Sequence, residues 1–140
     1  MNKAIFILLL AVMTFSSCET SETPSDCESK ICDQSFSYVM VSFTDKNGLG
    51  VPVKNYSAVN KRTGDTLKSA TLASLSLVAG TYVIADDSHR KVLAENGDDI
   101  KISGTYEATN QTKTATVKIA GGKCACHIQK LSGPDKIAFD

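Results

Sequence analysis

Four cysteines, two early and two late in the chain, constrain its fold more than any other feature. Cys27 and Cys32 precede a long body rich in apolar residues, and Cys124 and Cys126 follow almost a whole domain later. The late pair comes after the step Gly121-Gly122 and is predicted to lie on a strand. Because residues two apart in a strand point to the same face, both thiols are expected to project side by side toward a partner. The simplest interpretation is that the first and last elements of the fold are tied together.

Residues 1–17 are predicted to form a cleaved signal peptide. Lys3 supplies a positive start, and the apolar run from Ala4 to Phe15 is too short to span a bilayer. The run ends in Ser16-Ser17-Cys18, which resembles the lipobox of bacterial lipoproteins. This resemblance implies cleavage before Cys18 and attachment of acyl chains such as palmitate, and two or more chains would give a stable membrane anchor. The alternative is an ordinary signal peptide followed by an unmodified cysteine.

Because the chain is predicted to be exported, its cysteines are expected to form disulfides. An oxidising environment favours disulfides for an even number of cysteines. A bridge between Cys124 and Cys126 would strain an extended strand, so each is expected to pair with one of Cys27 and Cys32. Closing a loop of roughly 95 residues should contribute about 4 kcal/mol in the chain-entropy model. Which early cysteine pairs with which late one stays open at this point.

A metal site is the main alternative for the same cysteines. Four thiolates, or three with His127, would suit tetrahedral Zn²⁺, and thiolates also suit Cu(I). His127 alternates away from Cys124 and Cys126 on a regular strand, so it would join them only through a bulge. A strained, reducible pair acting in thiol redox chemistry is a third hypothesis. The favoured interpretation needs no cofactor.

The body after the tether is predicted to be all-β. Residues 18–34 are expected to form a polar tether that includes the start of the disulfide-linked region, and residues 35–140 the folded domain. No segment of the domain keeps a helical period, and short apolar or alternating stretches recur between turn signals. About seven strands are therefore expected in an antiparallel β-sandwich, the first of them central and the second, with Pro52, at a strand start or edge. The predicted stretches are 35–44, 51–60, 74–78, 81–85, 100–107, 113–119, the cysteine strand and 137–139.

Two short motifs resemble known families. The order Gly50-x-Pro-Val, Thr63-Gly64 and Leu77-x-Ala-Gly-x-Tyr-x-Ile84 resembles carboxypeptidase regulatory-like and transthyretin-like sandwich domains over about residues 37–120. The His/Arg set and the Tyr-Arg-Gly-Ser ending of the transthyretin-like hydrolases are missing, so that activity is not carried over. The stretch from Cys124 to Pro134 resembles the tails of small uncharacterised lipoproteins of the Bacteroidota, which implies a source and no activity.

The longest polar connection, residues 86–99, holds the remaining candidate chemistry. Asp86 to His89 contains residue types found in hydrolases, but neighbours in sequence do not make a triad. Asp86-Asp87 and Asp98-Asp99 would offer oxygen ligands for weak Ca²⁺ binding. In both cases a solvated loop is the favoured interpretation.

Charge and composition exclude two classes of partner. The formal net charge is zero and no basic patch stands out, which argues against nucleic acid. The chain has no tryptophan, so a carbohydrate platform of exposed indoles is excluded. Glu19 rather than Asp follows Cys18, so no inner-membrane retention signal of the proteobacterial kind is present and the outer membrane is favoured.

The predicted function is a lipid-anchored, non-enzymatic binding or structural module of the cell envelope. Loops 45–50 and 86–99 are expected to contact an envelope protein or another surface ligand, since a rigid sandwich presents its loops. One alternative is a metal-binding or thiol-redox protein that uses the four cysteines. Another is a small inhibitor lipoprotein that acts on another envelope protein.

Overall fold

The computed structural model describes Cys27 and residues 30–69 and 78–140. Within these residues the chain forms seven strands and a single turn of 3₁₀ helix at Asp87–His89, with no α-helix. The strands are β1 Tyr38–Thr44, β2 Val53–Asn60, β3 Thr81–Asp86, β4 Asp98–Tyr106, β5 Thr112–Ala120, β6 Gln129–Ser132 and β7 Lys136–Ala138. The predicted all-β sandwich is confirmed.

The strands divide into a three-stranded and a four-stranded sheet. The smaller sheet has the order β3-β1-β7, and the larger has the order β2-β4-β5-β6. The prediction that the first strand is central is confirmed, and Pro52 precedes the edge strand β2, where its missing N–H costs no ladder bond. Every pair is antiparallel except β1 with β7. That parallel pair arises because the chain crosses from β6 in one sheet to β7 in the other.

The core lies between the sheets and follows the two-residue alternation of the strands. β1 buries Val39, Val41 and Phe43, while Tyr38 stays exposed on the other face. On the facing side of the core, the larger sheet contributes fully buried isoleucines and valines from β4 and β5. Each such side chain contributes about 1.5–3 kcal/mol when it leaves water. This burial fixes the register, because a shift of one residue would turn the apolar face to solvent.

Two tyrosines join the sheets along one side of the sandwich. The Tyr56 hydroxyl on β2 donates to the carbonyl of Val83 on β3, at 3.0 Å. In return the Tyr82 hydroxyl on β3 accepts from the N–H of Val53 at 2.8 Å and lies 3.2 Å from the carbonyl of the same residue. The two rings stack with centroids 4.6 Å apart. The edges of β2 and β3 are thus held together although they belong to different sheets.

The structure differs from the sequence-based prediction in the cysteine segment and in the placement of the loops. The strand predicted at 74–78 lies almost wholly outside the described residues. The strand predicted to carry Cys124 and Cys126 is wrong, because β6 begins only at Gln129 and both cysteines lie in the connection that precedes it. Loops 45–50 and 86–99 do not share one surface, because they adjoin opposite ends of β1: Thr44 bridges to Gly50, whereas Asp86 pairs with Tyr38.

Candidate functional site

Two disulfides close the end of the sandwich at which β1 begins. Cys27 is bonded to Cys124 and Cys32 to Cys126, each pair with its Cα atoms 5.3 Å apart. The bonds span 97 and 94 residues, and the two loops interlace, because Cys32 lies inside the first loop and Cys126 lies beyond it. The prediction that each late cysteine pairs with one of the early cysteines is confirmed, and the structure assigns which pairs with which. Cys18, the predicted site of lipid attachment, lies outside the described residues.

The late cysteines leave the sheet because two glycines let the chain approach another loop closely. β5 ends at Ala120, and the next two residues donate their N–H groups to the carbonyls of Ala94 at 3.0 Å and Arg90 at 2.8 Å. A Cβ on Gly121 would lie 2.5 Å from the Arg90 carbonyl oxygen, a contact that side chains do not make. The cysteine segment therefore folds over the 90–95 loop instead of continuing as a strand.

His127 lies between two carboxylates at this end of the molecule. Its Nδ1 is 2.7 Å from Asp87 Oδ2 and its Nε2 is 2.9 Å from Asp33 Oδ1. Only a protonated imidazole donates from both ring nitrogens. The hydrogen bond to Asp87 and the weaker one to Asp33 raise the pKa of His127 above its usual 6.5, against the opposing effect of burial. The three side chains form an ion cluster, called here the histidine clamp.

Asp87 also fixes the backbone on both sides of the clamp. Its two oxygens accept the N–H of Ser37 at 2.8 Å and the N–H of Ile128 at 2.9 Å. Burial raises the pKa of Asp87, but the hydrogen bonds from His127 and these two amides outweigh it and hold the pKa below the usual value. A single carboxylate thus joins the segment entering β1 to the segment entering β6.

The histidine clamp and the adjacent Ser35 together provide a serine, a histidine and two aspartates, but their geometry is that of an ion cluster. Ser35 Oγ is 3.4 Å from His127 Nε2, whereas the carboxylate of Asp33 lies closer to the same nitrogen. The Ser35 hydroxyl itself donates to Asp33. These hydrogen bonds also lower the pKa of Asp33, those from Ser35 most strongly. The ring nitrogen that would act as a base toward the serine is therefore engaged by a carboxylate.

Asp86 is buried, so the prediction of a solvated loop is wrong here. It caps the 3₁₀ turn by accepting the N–H of Ser88 at 2.9 Å, and its own N–H lies 3.3 Å from His89 Nδ1. Burial raises the pKa of Asp86, but hydroxyl hydrogen bonds from Ser69 and Ser88 more than offset it. The residue types that suggested hydrolase or calcium chemistry hold the backbone of the turn.

Asp98 lies at the other end of the same connection, and its carboxylate is also hydrogen-bonded by groups of the protein. Its oxygens accept from Arg62 Nε at 2.6 Å, from Asn60 Nδ2 at 2.8 Å and from the N–H of Ala94 at 3.2 Å. These partners, Arg62 foremost, lower the pKa of Asp98 to about 2. Its neighbour Asp99 is exposed and lies 3.9 Å from Lys61. The two aspartates therefore differ sharply in environment.

The described parts of the chain contain neither a grouped set of metal ligands nor a membrane-spanning helix. Across Cys27, 30–69 and 78–140, no three His, Cys, Asp or Glu side chains are grouped so as to hold a metal ion. No helix within the same ranges has the length and apolar character needed to cross a membrane. The four cysteines proposed as metal ligands are in disulfides, so binding as thiolates would first require reduction.

Sequence reasoning missed the histidine clamp, although one signal for it was present. Asp33 directly follows Cys32 and His127 directly follows Cys126. Once Cys32 is paired with Cys126, the residues after them are neighbours of opposite charge. The third member, Asp87, comes from a separate loop and required the sheet order to be known.

Comparison with known proteins gives no assignment: no protein-family model, curated protein or solved structure matches this chain. The resemblances to transthyretin-like domains and to Bacteroidota lipoproteins therefore stay predictions.

Proposed function

We propose that this protein is a lipid-anchored, non-enzymatic binding module of the cell envelope, fixed at one end of its sandwich and presenting the other end to a partner. The observation that carries the proposal is the position of the disulfides. Both join the segment that follows the predicted lipid attachment site to the end at which β1 begins. Cys18 precedes the first disulfide cysteine by only nine residues. The anchored end and the stapled end are thus the same end, called here the tether end.

The opposite end, about 20 Å away along β1 at 3.3 Å per residue, carries exposed apolar side chains. Leu49 is 66% exposed and Val78 is 79% exposed. The loops that carry them touch, because a Cβ on Gly50 would lie 2.1 Å from the Ala79 carbonyl oxygen. This pair of loops, residues 45–50 and 78–80, is called here the distal end. Exposed apolar side chains on adjacent, well-held loops favour a protein-contact surface.

The non-enzymatic part of the proposal rests on how the polar groups of the tether end are used. His127, Asp87, Asp86 and Asp98 each bond backbone groups or oppositely charged side chains within the fold. Such groups stabilise loops and hold the two terminal segments in place. Their arrangement accounts for the perturbed pKa values without a reacting substrate.

The anchor is tested by detergent partitioning of the full chain expressed in a bacterial host that makes lipoproteins. Wild-type protein is expected in the detergent phase, with an N-terminal peptide whose mass includes acyl chains on Cys18. The Cys18→Ser variant is expected in the aqueous phase or as the unprocessed precursor. Wild-type protein with a free Cys18 thiol would overturn the lipid anchor.

The contact surface is tested separately by photocrosslinking in intact cells. A photoreactive residue at Leu49 or Val78 is expected to capture an envelope protein. The matched control is Val92, an apolar residue that is 56% exposed at the tether end. Capture from position 92 with none from positions 49 and 78 would contradict the assignment of the distal end.

A further inference from the structure

β1 lacks a neighbouring strand along half of one edge. β7 pairs only with Ser42, Phe43 and Thr44, so the segment 38–41 extends beyond the start of β7. On the other side, β3 pairs with β1 from Tyr38 onward. In the parts of the chain that the structure describes, no strand lies beside this first half of β1 on the β7 side.

The backbone groups of Tyr38 and Met40 point to this open edge. The N–H of Ser42 donates toward β7, to the Asp135 carbonyl at 2.9 Å, and the N–H of Phe43 donates toward β3, to Gly80 at 2.8 Å. Backbone groups alternate between the two edges of a strand, so Met40 and Tyr38 face the same way as Ser42. Ser37, whose carbonyl accepts from Asp87 at 3.1 Å on the β3 side, fits the same alternation.

A groove lies beside the open edge, between β1 and the start of β6. It has a volume of about 510 Å³ and is lined on one side by Val39 and Met40 and on the other by Ile128, Gln129 and Lys130. At its end, Lys130 pairs with Asp135, so the charged groups of the groove neutralise each other. The opposite side of the sandwich, by contrast, is closed by Tyr56 and Tyr82.

We propose that this groove binds an extended, uncharged peptide segment of a partner protein, which adds a strand beside residues 38–41 of β1. Such a segment supplies the carbonyls and N–H groups that the open edge demands, as in other cases of strand addition. Its alternate side chains would be apolar where they face the buried Val39 and Ile128. The free stretch of four residues, about 13 Å long, sets the length of the ladder.

A single strand fits this edge better than a second copy of the chain does. Ile128, Gln129 and Lys130 line the groove opposite β1, so the space beside the free edge is limited to about 510 Å³. A second copy would have to bring its whole sandwich to this space, whereas an extended segment enters it alone. This binding site goes beyond the proposed function, because it names a second surface and does not depend on the lipid anchor.

The test measures amide hydrogen exchange in the full chain, solubilised in dodecylmaltoside. The probe is a capped heptapeptide of alternating threonine and valine, N-methylated on every second amide so that one edge remains able to bond. We expect exchange at Tyr38 and Met40 to slow at least about tenfold when the probe is added. The same peptide methylated on every amide is the matched control and should give no protection. Amides of the edge strand β2 should be unchanged by either peptide.

Substitutions of Met40 give a second, independent readout. Met40→Pro removes the donor that faces the groove, and Met40→Leu keeps it. The proline variant should lose probe-dependent protection at Tyr38, and the leucine variant should keep it. If the proline variant fails to fold, the comparison of the two peptides still decides.

Three results would overturn the proposal: equal protection by the fully methylated peptide, equal protection at β2, or no protection by the probe. Slow exchange at Tyr38 and Met40 before any peptide is added would also overturn it, because the chain itself would then cover the edge. None of these results depends on whether Cys18 carries lipid, so failure of the anchor and failure of the groove can be told apart.

Discussion

His127 Nδ1 lies 2.7 Å from Asp87 Oδ2, and this contact joins two loops that are 40 residues apart in the chain. Asp33 engages the other ring nitrogen, so the imidazole is held between two carboxylates. The contact lies beside the disulfides and closes the same end of the sandwich by electrostatic means. It also makes the stability of that end depend on pH.

The free energy of unfolding is expected to fall as the pH rises above about 6.5. The pKa of His127 is raised in the folded state, so its contribution is complete below the usual value of 6.5 and is lost as the pH passes the raised pKa. The carboxylates affect stability at low pH. The pKa values of Asp33 and Asp87 are lowered in the folded state, so their contribution to stability is complete above about pH 3.8 and is lost as the pH falls through the lowered pKa values. Urea unfolding between pH 2 and 9 measures the profile.

The matched variants for that profile are His127→Gln and His89→Gln. The first should remove the decline that wild-type protein shows above pH 6.5, and the second should retain it. A His127→Gln profile that runs parallel to wild type would show that another group causes the pH dependence.

Removal of the two disulfides should be non-additive. With one disulfide present, the other closes a ring of only six residues on one segment and three on the other, so losing either one should cost about 2–3 kcal/mol in the chain-entropy model. Loss of both opens the long loop as well and should cost about 7 kcal/mol. Paired serine variants, Cys27→Ser with Cys124→Ser and Cys32→Ser with Cys126→Ser, are compared with the quadruple variant by urea unfolding. If the quadruple variant lost only the sum of the two paired losses, joint closure of the long loop would be refuted as a source of stability.

Tyr82→Phe should destabilise the protein by about 1–3 kcal/mol, because the N–H of Val53 loses its partner in the other sheet. Tyr106→Phe is the control, since its ring packs on Phe139 and its hydroxyl bonds to no described residue. That variant should stay within about 0.5 kcal/mol of wild type. Thermal unfolding followed by circular dichroism compares the two, and equal losses would argue against a bond between the sheets.

Asp98 and Asp99 are neighbours with the same chemistry and should respond very differently to alanine. Asp98→Ala leaves the side chain of Asn60 and the N–H of Ala94 without their acceptor and should cost about 2–3 kcal/mol. Asp99→Ala removes only an exposed contact with Lys61 and should change stability by no more than about 0.5 kcal/mol. Chemical unfolding at pH 7 measures both. Comparable losses would show that burial of Asp98 does not control its contribution.

The strands could be predicted from the sequence because their signal is local. Ile100 and Ile102 alternate with polar residues, and so do Val117 and Ile119, and the structure buries all four. That the early cysteines pair with the late ones was predicted from the expected export and from a strand at Cys124–Cys126, and the pairing is correct although that strand does not form. Two ways of pairing the early with the late cysteines were equally compatible with the sequence, and the pairing that forms depends on where the folded chain places the two segments.

The remaining features depend on which strands are neighbours. Asp87 reaches His127 because β3 pairs antiparallel with β1 and so returns the chain to the end at which β1 begins. The same pairing separates loop 86–99 from loop 45–50, which no local pattern indicates. The wrongly predicted strand at Cys124 has a different cause. Gly121-Gly122 was interpreted as a turn between two strands, whereas the missing side chain of Gly121 allows close packing against Arg90 and that of Gly122 leaves room for Glu95.

The two interlaced disulfides make most of the molecule a closed covalent ring. A protease that cuts once in any loop between Cys32 and Cys124 opens the ring but releases no fragment. Both pieces stay joined through the disulfides to the stretch that carries Cys18, so they separate only after the disulfides are reduced. A protein exposed to proteases would therefore stay in one piece after a single cut, and covalent release of a segment would require a second cut on its other side.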